Sequence, residues 1–321
     1  SILSNLFTVL VLGLLAARDY FRPRLRFERA FTHHLVGESF PLMINHLLAT
    51  VFFQVDVLLL QPLRGDIEVG YYSAAYRYIR GLDIIPGYFT MALFPVMSRY
   101  AQSARDSLQR AYRLSLRLLF AVSLPIAMGT TFIARELIML LAGSEYLPHS
   151  QVALQILIWY MPLGFVNSVT QYVLIALDEQ RYLTRAFVIG VGFNVLANLA
   201  LIPSYGYRAA ALVTVLSEVA LLIPFLHRVY RHLEPLPWVD LIWRPLLATG
   251  LMGLSLQGMR GLEVPVLAMV PAAAAVYGAV LLASGFTRAE DMDLVVGLLR
   301  RMGGQRPTAV SQQPSAVGDR L

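Results

Sequence analysis

Apolar positions in this chain come in long runs cut off by charged residues, proline or glycine. A helix needs about 20 mostly apolar residues to cross a hydrocarbon core of roughly 30 Å. Runs of that kind lie near residues 1–17, 38–62, 69–98, 114–134, 151–177, 184–203, 208–227, 242–258 and 264–285. The pattern predicts an all-α fold, a polytopic integral membrane helical bundle of about nine transmembrane segments. The first run has no basic residues ahead of it and no cleavage pattern after it, so it reads as the end of a membrane helix and not as a secretory signal. The chain is accordingly expected to start inside a helix.

Composition agrees with the pattern. With 57% hydrophobic and 14% charged residues and a mean hydropathy of +0.60, the chain has too little polar surface for a water-soluble fold. All 26 basic residues are arginine, because lysine is absent. They alternate from loop to loop. One set of loops holds Arg18, Arg22, Arg24, Arg26 and Arg29, then Arg99, Arg105, Arg110, Arg113 and Arg117, then Arg181 and Arg185, then Arg228, Arg231 and Arg244, then Arg288, Arg300, Arg301, Arg306 and Arg320. The opposite set holds Arg64, Arg135, Arg208 and Arg260. Loops that stay in the cytoplasm are enriched in basic residues next to the membrane, so the rich set is expected to be cytoplasmic. The same placement gives the net charge of +6 a partner in anionic lipid headgroups and not in nucleic acid. After Met302 the chain is rich in Gly, Pro, Ser and Gln and reads as a disordered tail.

Charge at membrane depth is costly, from roughly 2.5–3.5 kcal/mol per residue, and usually faces a bundle interior or a wet cavity. The candidates are His46, Gln54 and Asp56 in the second run, Arg77, Arg80 and Asp83 in the third, and Glu218 in the seventh. Arg80 and Asp83 are three apart on one helical face, a spacing that suits a structural ion pair. Arg77 has Ser73 and Gly81 four residues either side, so it has no local charged partner. In a cavity its planar guanidinium would grip a phosphate or pyrophosphate bidentately, whereas at the membrane surface it would only snorkel. Asp56, shortly before Gln61 and Pro62, is expected near the outer boundary and in water, available for ion coupling or for pairing with an arginine. Glu218, flanked by Leu216, Val219 and Ala220, suits either an interhelical hydrogen bond or a coupling role. His46, beside Asn45, is read as a satisfied packing group. Asn167 with Gln171 and Asn194 with Asn198 recur at i, i+4, and interhelical bonding is the commoner use of such amides. Pro86, Gly87, Pro95, Pro125, Pro162 and Gly164 sit inside the runs, where each permits a bend.

No enzyme constellation is present: there is no HExxH, no phosphate-binding glycine loop with a following lysine, and no Gly-x-Ser-x-Gly. Cysteine is absent, which removes disulfides, cysteine-ligated zinc and thiol chemistry. No metal site or cofactor is expected, and the chain is read as a non-enzyme. A membrane enzyme of glycan assembly would normally carry a long loop opposite the cytoplasm, and the longest such loop here, near 135–150, is short.

Ordered motifs run through the chain: Val55-Asp56-Val57-Leu58-Leu59-Leu60, then Val69-Gly70-Tyr71-Tyr72-Ser73-Ala74-Ala75-Tyr76-Arg77, then Ala92-Leu93-Phe94-Pro95-Val96-Met97-Ser98-Arg99. Leu141-Ala142-Gly143-Ser144-Glu145-Tyr146 and Asn198-Leu199-Ala200-Leu201-Ile202-Pro203-Ser204-Tyr205-Gly206-Tyr207-Arg208-Ala209-Ala210-Ala211 follow. Together they resemble the polysaccharide transporter family, the O-antigen-type flippases of the multidrug/oligosaccharidyl-lipid/polysaccharide exporter superfamily. Ala209 departs from the pattern, which usually has glycine there. The resemblance implies two six-helix lobes around a central cavity, followed by two extra helices. On that comparison residues 1–17 end the last helix of a first lobe and 18–37 form a cytoplasmic inter-lobe linker. Residues 38–227 form the second lobe, 228–285 a loop and the two extra helices, and 286–321 a cytoplasmic tail. It also implies alternating-access flipping of an undecaprenyl-pyrophosphate-linked glycan in the bacterial cytoplasmic (inner) membrane, with membrane lipids and other glycan-assembly membrane proteins as partners. Arg77 and Arg80 are then the expected substrate-binding residues, and Asp56, Asp83 and Glu218 the expected coupling or pairing groups. The alternatives are a multidrug or cation exporter or a peptidoglycan-precursor flippase of the same superfamily, and a membrane-embedded glycan-assembly enzyme.

Overall fold

The computed structural model describes residues 2–19 and 29–286. The expected tail from residue 287 and most of the expected linker, residues 20–28, lie outside them. The chain divides into two units, Ser1–His46 and Leu47–Leu321, and the site described below lies in the second.

Twelve α-helices follow in order: α1 (Ile2–Asp19), α2 (Arg29–Phe52), α3 (Val55–Arg64), α4 (Asp66–Leu82), α5 (Ile84–Ser103), α6 (Arg105–Leu141), α7 (His149–Leu157), α8 (Tyr160–Ala176), α9 (Gln180–Tyr205), α10 (Tyr207–Val229), α11 (Trp238–Gly261) and α12 (Val266–Ala283). Eight spans among the described residues are long and apolar enough to cross a membrane, beginning with Met43–Arg64 and ending with Val266–Ala283. They match eight of the nine predicted runs, and the protein is a multi-pass integral membrane helical bundle. The remaining run, at the start of the chain, is helical as α1, with a shorter apolar stretch at Leu6–Leu15.

Three spans are interrupted, because α2–α3, α4–α5 and α7–α8 are each one span made of two helices. Proline explains two of the interruptions. Pro86 has no N–H to offer the Leu82 carbonyl and Pro162 none for Ile158, and α4 and α7 stop at or just before those residues. The α2–α3 break at Phe53–Gln54 has no proline. There the Phe53 carbonyl takes the Tyr76 hydroxyl and the Phe52 carbonyl takes Asn194 Nδ2, both at 3.5 Å. In α6, Pro125 leaves the Ala121 carbonyl without its helical donor, and Tyr277 of α12 supplies a hydroxyl at 2.7 Å. A freed carbonyl in hydrocarbon has no water to fall back on, so such outside donors are what make the breaks tolerable.

One apolar core joins α3 to α10, with Tyr72, Tyr112, Phe165, Phe187 and Phe225 fully buried. Tyr112 keeps its polar end bonded to Thr170 Oγ1 across α6 and α8 at 2.8 Å. The last two helices pack on α6 through a separate cluster of Met252, Leu256, Met269 and Ala273.

Side-chain contacts at the two ends of the bundle sort the loops as the arginines did. At the arginine-rich end, Glu179 Oε1 lies 2.7 Å from Arg228 and 2.6 Å from His232, and Arg105 donates to the His232 carbonyl at 3.3 Å. Arg117 donates to the Phe286 carbonyl and Arg244 to that of Gly285. Partial burial tends to raise the Glu179 carboxyl, but hydrogen bonds from Arg228 and His232 outweigh it and hold that group below the usual carboxylate range. At the arginine-poor end, Glu68 accepts the Tyr207 backbone N–H at 2.8 Å and pairs with Arg64 at 3.5 Å, while His149 stacks on Tyr71 and meets the Tyr207 hydroxyl at 3.1 Å. Here Gly206 has φ +58, so the α9–α10 turn favours glycine, and a Cβ on it would push the Glu68 carboxylate from its place.

Two outcomes follow. Tyr277→Phe should leave the Ala121 carbonyl unpaired and cost about 1–3 kcal/mol in an unfolding titration of the purified protein. In the cysteine-free background, Glu145→Cys should react with a membrane-impermeant maleimide on intact cells, and Arg181→Cys only after permeabilisation; the reverse would invert the orientation.

Candidate functional site

The three interrupted spans meet at one place. A cavity of about 310 Å³ is lined there by Phe53 and Gln54 from the first break, Asp83, Pro86 and Gly87 from the second, and Tyr160 and Gly164 from the third. Tyr76 and Arg80 of α4, Asn167 and Gln171 of α8, Phe187 of α9 and Glu218 of α10 complete most of its wall. Breaks and cavity belong together, since irregular backbone at membrane depth is stable where it is covered by protein or faces an aqueous space.

The second and third breaks are tied directly: the Tyr160 hydroxyl donates to Asp83 Oδ1 at 2.8 Å. Gly164, one turn further along α8, makes room for that ring, because a Cβ there would stand 2.8 Å from it. Arg80 does not close an ion pair with Asp83. Its guanidinium lies 5.1 Å from the centre of the Tyr76 ring, a cation–π distance, and the residue is exposed at the cavity rim. Asp83 starts the break and turns its carboxyl toward Tyr160 instead, which the i, i+3 spacing alone could not reveal.

Glu218 is 1% exposed and Asn167 4%. Asn167 Nδ2 donates to both the Glu218 backbone carbonyl, at 2.8 Å, and Oε2 of its side chain, at 2.6 Å. Asn167 therefore bonds to α10 and not to Gln171, its neighbour in the sequence pattern, which lines the cavity separately. Asn198 donates to Asn194 Oδ1 at 2.6 Å, so the second amide pair forms a bonded ladder on the buried face of α9.

Asp56 lies elsewhere from where its sequence position placed it. It is 2% exposed and outside the cavity lining, and its partners are two hydroxyls and a backbone amide and not an arginine: the Tyr72 hydroxyl donates to Oδ2, Thr214 Oγ1 stands 3.3 Å away, and the Val57 N–H donates to Oδ1 at 2.9 Å. The break at Gln54 is what draws it inward, because α3 starts at Val55 and turns Asp56 toward α4 and α10. Arg77 is exposed and does not line the cavity. The structure thus gathers Arg80, Asp83 and Glu218 and leaves Asp56 and Arg77 apart. Tyr160 and Tyr76 were not singled out from the sequence; the one available signal was their position before a proline break and within the Tyr-x-x-x-Tyr stretch of α4. Among the described residues no cluster of three His, Cys, Asp or Glu could hold a metal.

Comparison with known proteins agrees with this architecture. A family model described as "Polysaccharide biosynthesis protein" matches residues 1–151, and the resemblance to the polysaccharide transporter family is borne out. "Probable flippase AglR" of Haloferax volcanii is 24% identical over 248 residues, which are 74% of this chain and 52% of that protein. "Lipid II flippase MurJ, inward closed conformation" aligns with a TM-score of 0.68 at 15% identity, over 84% of this chain and 58% of that one. MATE in the straight conformation aligns with a TM-score of 0.53 at 18% identity, over 68% of this chain and 52% of that one. The fold is therefore shared with these two solved structures. The chain spans about half the length of these relatives.

The Tyr160–Asp83 tie gives a direct test. Tyr160→Phe and Asp83→Ala should each lower the unfolding free energy by about 1–3 kcal/mol, and the double variant should cost less than the two added, as groups sharing one bond do.

Proposed function

We propose that this chain forms one lobe, with two additional helices, of a flippase that moves a lipid-linked oligosaccharide or polysaccharide precursor across the membrane by alternating access. The carrying observation is the cavity at the meeting point of three broken spans, with Arg80, Asp83 and Glu218 in its lining, within a chain whose family match concerns polysaccharide biosynthesis. Discontinuous helices around a midplane cavity let two lobes rock while the backbone stays satisfied. Arg80, at the cavity rim, would take the phosphate groups of the headgroup, and Arg77, one turn earlier and also exposed, would extend that basic edge. The carrier would be undecaprenyl pyrophosphate and the site of action the bacterial cytoplasmic membrane.

The cavity also favours a second reading. Asp83 and Glu218 share it with Arg80, so with both acids ionised its formal charge is negative, which suits the cargo of a cation exporter more than a pyrophosphate.

Complementation separates the two. In a flippase-deficient strain, the full-length protein carrying Arg80→Ala should export glycan at least about tenfold less well, the worth of one charge-assisted contact, and Arg77→Ala should lose less. Wild-type export from both, with normal membrane insertion, would overturn the arginine assignment; a gain in resistance to cationic drugs without glycan export would favour the exporter.

A further inference from the structure

Two atoms in the cavity wall are left over once the Asn167–Glu218 hydrogen bonds are counted. Glu218 Oε1 and Asn167 Oδ1 are both buried and without a partner. With an ionised carboxyl both are acceptors, and an unsatisfied buried acceptor costs about 1–3 kcal/mol, more when charged. A single proton removes the conflict. On Oε1 it turns an acceptor into a donor, the complement of the unpartnered amide oxygen of the residue whose Nδ2–H already bonds Oε2.

We infer that Glu218 and Asn167 form a proton-binding site in the wall of the cavity, occupied when Glu218 is the neutral acid. The O–H bond forms on Oε1 as a hydronium ion in the cavity breaks one of its own O–H bonds and is left as water; no other bond changes. A metal ion fits less well, since a hard divalent cation takes about six oxygens or more and this pair offers two free ones.

The surroundings make occupancy responsive. From α4, Tyr76 and Arg80 line the same cavity; from the α4–α5 break comes Asp83, and from α8 Tyr160. α9 contributes Phe187 and no titratable side chain to the lining. Asp56 and Tyr72 of α3 and α4 meet α10 one turn away, at Thr214, and α7 brings His149 to Tyr207 at the start of α10. Proton uptake changes the formal charge of Arg80, Asp83 and Glu218 together from −1 to zero. Binding of an anion in the cavity and binding of the proton therefore favour each other, by the same factor in each direction. That use of the site rests on the flippase reading; the site itself does not.

The test is infrared difference spectroscopy of the full-length protein in lipid nanodiscs, titrated from acid to alkaline pH without substrate. A carbonyl band of a neutral carboxylic acid should disappear on alkalinisation, be missing in Glu218→Gln, and move in Asn167→Leu. If Glu218→Gln does not accumulate, Glu218→Asp and Asn167→Leu carry the test, each displacing the band. Absence of a titrating acid band from the wild type, its survival in Glu218→Gln, or an unmoved band in both other variants would overturn the proposal. Loss of glycan export with the band intact would instead count against the flippase reading.

Discussion

Hydrocarbon offers no hydrogen bonds, so each backbone carbonyl in this bundle needs a donor from the protein or from water held by the protein. The rest of the structure follows from how that requirement is met where the spans are broken. Where Pro125 interrupts α6, a tyrosine from α12 closes the gap. Where the α2–α3 span breaks, Tyr76 and Asn194 reach the two freed carbonyls. Pro86 and Pro162 place two more breaks side by side, and the cavity lies among the three that converge.

The wall of that cavity is held by side chains with more than one duty. Tyr76 bonds to the break in one span while its ring faces the guanidinium of Arg80. Asn167 spends both hydrogens of its amide on α10 and keeps its oxygen in reserve. Asp83 ends α4 and anchors Tyr160, which crosses the space that Gly164 leaves open. A substitution in this wall therefore acts on helix geometry and on cavity chemistry together. That is why a stability measurement has to accompany any transport assay.

The spans were legible in the sequence because a crossing helix must be apolar for about 20 residues, and few soluble elements share that signature. The grouping of the loops was legible for a related reason: the contacts of Glu179, Arg228, His232 and Arg105 at one end, and of Arg64, Glu68 and Tyr207 at the other, sort them as the arginine pattern does. The prolines announced bends without announcing that the bends would meet. Partner choice was not legible. Spacing paired Arg80 with Asp83 and Asn167 with Gln171, whereas contacts between helices took Asp83 to Tyr160 and Asn167 to Glu218. Exposure was misjudged at Asp56, because distance along the chain from Pro62 measures position along the helix but not which way a side chain turns. Helix faces in a bundle are decided by neighbours that lie far away in sequence.

The carboxylate of Glu68 has a mechanical consequence. It sits in the first turn of α4 yet holds the leading N–H of α10, so the two helices are pinned together at one tip. At its other tip, beside the break at Pro86, Asp83 ties α4 to Tyr160 of α8. It thus runs as a strut from the cavity to the start of the helix that carries Glu218, about 16 Å along α10 at 1.5 Å per residue. A swing of α4 that opened or closed the cavity would drag on α10 as well, so that the shape of the chamber and the setting of its acid would change in a single stroke.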